Sequence, residues 1–87
     1  MSNKVLEQNR EEEETEMKYD YDKLIGKIAE KFRTRGRFAV AMGMSERTLS
    51  LKINNLINFK QDEIIKACEV LEIKHSDIPI YFFTQDV

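Results

Sequence analysis

Arg47, Ser50, Leu51 and Asn54 are the side chains best placed to act together on another molecule. They lie in the run Ser45-Glu46-Arg47-Thr48-Leu49-Ser50-Leu51-Lys52-Ile53-Asn54-Asn55. Coiled as a helix at about 100° per residue, that run turns Leu49 and Ile53 inward. Arg47, Ser50, Leu51 and Asn54 then fall within about 60° of the opposite direction and face outward. Glu46 lies on one flank, with Thr48 and Lys52 on the other. Upstream, Arg35 and Arg37 join Lys52 as cations suited to phosphate. The backbone amides at 36–38 are suited to it as well, because they open a helix whose dipole favours an anion.

Catalysis fails on inventory. His75 is the one histidine and stands in a connector beside Ser76, where it reads as a solvated or capping residue. Cys68 falls on the apolar side of a helical pattern with no histidine at a suitable position, so it reads as a core thiol. The carboxylates form no paired, buried acid pattern. There is no glycine-rich phosphate loop, and one cysteine rules out both an internal disulfide and a cysteine cluster for zinc. The chain is therefore expected to be no enzyme and to need no cofactor or metal.

The elements that must hold the outward residues are all helical. From Asp20 to Phe32, apolar residues at 21, 24, 25, 28 and 32 make one stripe. Asp20 and Asp22 suit its positive end, and Lys31 and Arg33 its negative end. The basic connector Arg33-Thr34-Arg35-Gly36-Arg37 leads into a helix at about 37–43, ended by Gly43, where a left-handed backbone is cheapest. Met44 points back into the core, and Ser45 caps a helix from about 46 to 54. Ala39 is small enough for that helix to cross close by, with Leu49 burying against it. Asn54-Asn55 is a natural stop, and Leu56-Ile57-Asn58-Phe59 reads as a connection with apolar anchors. A fourth helix is expected at about 61–71, with Ile64, Ile65, Cys68 and Leu71 inward. Ser76-Asp77-Ile78-Pro79 opens a last one through Phe83. The pattern predicts an all-α fold: a compact five-helix bundle built around a helix-turn-helix.

Charge divides the chain. Its 87 residues carry a formal −2, but Lys4 and Arg10 oppose six glutamates within residues 1–17, a local −4. The remainder holds 12 Lys and Arg against 10 Asp and Glu, a mild +2. Residues 1–18 therefore read as an acidic, disordered tail, too poor in apolar groups to offset ordering, and 19–87 as the folded domain. That tail competes for the basic face, binds a partner, or is simply solvated. No apolar run approaches a membrane span and no signal peptide is legible, so a cytoplasmic protein is expected.

The Ala39–Gly43–Ser45–Leu49 spacing, the Thr48–Asn55 helix ending and the order of five helices resemble Cro/repressor-type helix-turn-helix regulators of phages, a lambda-repressor-like fold. The closing Ile78-Pro79-Ile80-Tyr81-Phe82-Phe83 is similar to small switch proteins of phages of Gram-positive hosts, Cro-like proteins and modulators of repression among them. The resemblance spans residues 19 to about 84. It implies a regulator of the lysis-lysogeny switch in a bacterial host, with two candidate partners. One is double-stranded operator DNA, read by Ser45, Glu46, Arg47, Ser50 and Leu51 at the start of the second helix. Arg47 would then contact guanine, Glu46 a cytosine amino group and Leu51 a thymine methyl. The other is the co-encoded repressor protein, met by the same face as an anti-repressor. Glu46 repels phosphate and Leu51 is apolar at the centre of the face, which suits a protein equally well. Asn54 and Asn55 complete the candidate surface. Tyr81, Phe82 and Phe83 cannot all turn toward one core, so they offer a possible homodimer contact.

Overall fold

A computed structural model describes residues 18–86; the acidic-tail expectation for 1–17 lies outside them. Five α-helices follow in order: α1 (Asp22–Phe32), α2 (Arg35–Met42), α3 (Glu46–Ile53), α4 (Gln61–Leu71) and α5 (Ile78–Phe82), with a 3-10 turn at His75–Asp77 before the last. The expected all-α fold is the one found, and no strand occurs among the described residues.

Local chemistry sets most boundaries. Asp20 Oδ1 accepts from the Asp22 amide at 2.8 Å and opens α1. Thr34 Oγ1 accepts from the Arg37 amide at 3.1 Å, so α2 starts two residues before the sequence suggested. Gly43 closes α2 at φ 75°, and the Met44 amide reaches back to the Ala39 carbonyl at 3.0 Å. Ser45 Oγ then accepts from the Thr48 amide at 3.0 Å and starts α3. At the head of α4, Glu63 Oε1 accepts from the Lys60 amide at 2.9 Å. Lysine at that cap has no acceptor to offer in return, so half of a capping box forms. Pro79 sits in the first turn of α5, where its missing N–H costs nothing.

The core joins all five helices. Leu24 and Ile28 come from α1, Phe38 and Ala39 from α2, Leu49 and Ile53 from α3, Ala67, Cys68 and Leu71 from α4, and Phe82 from α5. Met44 is half-buried against them, as expected. Phe59 wedges edge-on between Tyr21 and Phe82, with ring centroids 5.5 and 5.3 Å away. Removing the Tyr21 phenol from water, with Tyr19 close by, pushes its pKa up to about 12.

Three sequence expectations need correcting. Ile65 faces solvent at 41% exposure; Ala67 fills the inward position instead, because it shares a face with Ile64, Cys68 and Leu71. Of the supposed anchors after α3, only Phe59 packs inward, while Leu56 and Ile57 are exposed. Phe82 is fully buried and cannot serve a dimer contact. Tyr81 is half-buried and Phe83 lies exposed, edge-on to Tyr19 at 5.8 Å.

One tie has no local sequence signal. Tyr19 and Gln85 form an isolated antiparallel bridge, with the Asp20 amide donating to the Thr84 carbonyl and the Asp86 amide to the Lys18 carbonyl. The two ends of the described chain are thus fastened together beside α3.

Candidate interaction surface

The α2–corner–α3 unit presents the candidate residues unevenly. Ser45, Glu46, Arg47 and Asn54 are exposed; Ser50 and Leu51 are half-buried. Arg37 is exposed and Arg35 half-buried at the start of α2. The outward side of α3 therefore combines a guanidinium, a carboxylate, hydroxyls, an amide and part of a leucine.

Lys52 is a correction. The residue is 3% exposed, not held out on the flank for a phosphate. The ammonium donates to the Asn58 carbonyl and pairs with Glu63 Oε1, both at 2.9 Å, and lies 5.8 Å from the centre of the Phe59 ring. The flank that helix geometry left open is covered by the 54–60 segment and the head of α4. Burial pushes the Glu63 carboxyl upward, but the Lys60 amide and the Lys52 ammonium outweigh it, so its pKa falls below the ordinary value.

The expected phosphate cradle at 36–38 is also corrected. The Arg37 amide is taken by Thr34 Oγ1, and the Phe38 amide by the Thr34 carbonyl at 3.3 Å. Over Gly36 lies the Glu46 carboxylate: a Cβ placed on that glycine would stand 3.2 Å from Glu46 Oε1. A negative group from α3 thus already faces the positive end of α2. An incoming phosphate would meet a like charge there.

Asn55, expected on the outward surface, is turned to the chain itself instead. Its Oδ1 accepts from the Tyr19 amide at 2.9 Å and its Nδ2 donates to the Tyr19 carbonyl at 3.0 Å. At φ 66° it is the left-handed stop that the sequence suggested, but its side chain is committed to Tyr19, the N-terminal partner of the chain-end bridge. Asn54 keeps a right-handed backbone and stays exposed.

Two residues outside the expected set belong on this surface. Leu56 is 67% exposed and Ile57 42%, directly after α3. Both amides fold back onto the Leu51 carbonyl, at 2.9 and 3.4 Å. Their backbone therefore lies against the C-terminal turn of α3, tied to the Leu51 carbonyl. The signal in the sequence was four residues, 56–59, of which three are apolar and only one could reach the core.

Elsewhere the described residues offer little chemistry. Cys68 is buried, and burial raises its thiol pKa, which disfavours the nucleophilic thiolate. No group of three His, Cys, Asp or Glu among them could hold a metal ion. No described helix is long and apolar enough to cross a membrane.

Residues 17–85 match the family described as "Protein of unknown function (DUF739)", and the chain belongs to that family. No curated protein matches it. Among solved structures, the chain is similar to the solution structure of the modulator of repression (MOR) of the temperate bacteriophage TP901-1 from Lactococcus lactis. The two are 58% identical, with a TM-score of 0.68, and the match covers 75% of this chain and 88% of that one.

Proposed function

We propose that this member of the family is an anti-repressor, which packs the outward face of α3 against the DNA-reading domain of a phage repressor encoded beside it. It would act in the cytoplasm of the bacterial host and change the repressor's occupancy of its operators. The observation that carries this reading is the 58% identity to a modulator of repression over nearly all of that protein.

The geometry supports the same choice. Phosphate contacts from cations and helix amides supply most of the affinity of a DNA reader, and each one lost weakens binding. Here Lys52 is turned inward and the start of α2 faces the Glu46 carboxylate. What remains outward is Arg47, Glu46, Asn54 and the apolar Leu51, Leu56 and Ile57, a mixture of the kind that a protein surface can complement. Glu46 would suit the basic groove-facing side of a DNA-reading domain, and Arg47 a carboxylate or backbone carbonyl at its edge.

Titration of the full chain into the purified repressor, followed by gel shift on the repressor's operator, tests this. The expected result is a protein complex, no shift from this chain alone, and loss of the complex in Leu51→Asp. A salt-steep shift by the chain alone, abolished in Arg47→Ala, would replace this reading with direct operator binding.

A further inference from the structure

Leu56 and Ile57 are exposed, yet the segment that carries them is tied down at almost every residue. The Asn54 amide donates to the Ser50 carbonyl at 2.9 Å, and the Asn55 side chain holds Tyr19. The amides of Leu56 and Ile57 share the Leu51 carbonyl, and the Asn58 carbonyl accepts from buried Lys52. Phe59 is wedged between two rings, and the Lys60 amide is taken by Glu63. Two large apolar side chains are thus held in water on a backbone whose amides at 54–57 and carbonyl at 58 are already engaged. Such an arrangement binds without first being ordered, and it spares the entropy that a slack loop would lose.

We infer that residues 54–58 are a preformed apolar ledge, continuous with α3 through Leu51, and that Lys52 is the positioning residue that holds it. The inference rests on the reading of α3 as a face for a repressor protein, and adds what that protein must bring: uncharged, apolar side chains opposite Leu56 and Ile57. A phosphate would gain nothing at this point, because the Lys52 ammonium beneath the ledge points to Asn58 and Glu63. Continuity with α3 assigns the occupant to the same repressor domain that meets Arg47.

The test uses the full chain and the repressor encoded beside it. Leu56→Asp should weaken the complex by about tenfold or more, with little change on adding salt. Lys52→Met should speed hydrogen exchange at the Leu56 and Ile57 amides by a larger factor than at Leu24 and Phe82, where only the loss of global stability shows, and weaken the complex by about tenfold through faster dissociation. If Lys52→Met does not fold, Glu63→Gln provides the same reading, since it removes the charge of the pair and keeps its shape. Complexes within twofold of wild type for both Leu56→Asp and the ledge variant would overturn the inference and leave the α3 reading standing. Self-association of the wild type that Leu56→Asp abolishes, with repressor binding intact, would overturn it in favour of a second copy. A wild type that does not bind the repressor would sink both readings.

Discussion

Lys31–Glu72 and Lys52–Glu63 are both lysine–glutamate pairs with a 2.9 Å separation, and they fasten different ends of α4. Lys31 reaches from α1 to the residue after α4 and stands in solvent, where Glu72 is largely bare. Lys52 reaches from α3 to the first turn of α4 and is sealed under the 54–60 segment. In the first pair, the hydrogen bond raises the Lys31 pKa and lowers that of Glu72, but water and salt compete for both partners. In the second, the ammonium has left water and depends on Glu63 and Asn58. Distance alone does not separate them; solvent does. The exposed pair decorates a junction that the core already holds, whereas the buried pair shapes the surface beside α3.

The largest expected effect tests that contrast directly. Lys52→Ala strips a buried partner from Glu63 and Asn58, and should lower unfolding free energy by about 3 kcal/mol in a urea titration, the low end for a broken buried pair because Glu63 retains some water. Equal effects from Lys52→Ala and Lys31→Ala would break the comparison. Acid comes next. The folded Glu63 carboxyl binds its proton less readily than the unfolded one, so stability from this pair is present above the ordinary carboxylate range. It should fall as pH drops through that range and below the depressed value. Glu72 carries the same sign. Carboxyl-carbon NMR titration in 0.5 M salt should bring Glu72 back toward its ordinary value while leaving Glu63 depressed. A smaller gain is expected on the surface of α1, where a Cβ on Gly26 would meet nothing within 4 Å. Gly26→Ala should add about 0.5–1 kcal/mol in the same urea titration. Smallest of all, Lys31→Ala should leave the thermal midpoint unchanged within error.

Much of the fold was legible because its punctuation is local. Ser45 with Thr48, Gly43 with Val40 and Ala39, and Asp20 with Asp22 act across two to four residues, so residue type and spacing suffice. The outward direction of Arg47 follows from helix period alone. The flank of α3 was different. Lys52 and Thr48 were equivalent on a bare helix; only the return of the chain through Asn58 to Glu63 buries one of them. Ile65 lies outside the core although the stripe reaches it, because a periodic pattern admits two neighbouring phases and the small Ala67 takes the close-packed one. The clamp of Asn55 on Tyr19 joins positions 36 residues apart, and no spacing rule reaches that far.

The order of the residues fixed the helices, their caps, the inward stripe and the outward placement of Arg47, since hydrogen bonds within a turn and a 3.6-residue period need no distant partner. Packing of remote segments decided the rest: that Lys52 and Asn55 serve the chain itself, that Glu46 lies over Gly36, and that Leu56 and Ile57 stay in water. Burial is a property of what lands on a side chain, and for these residues that is a segment other than their own.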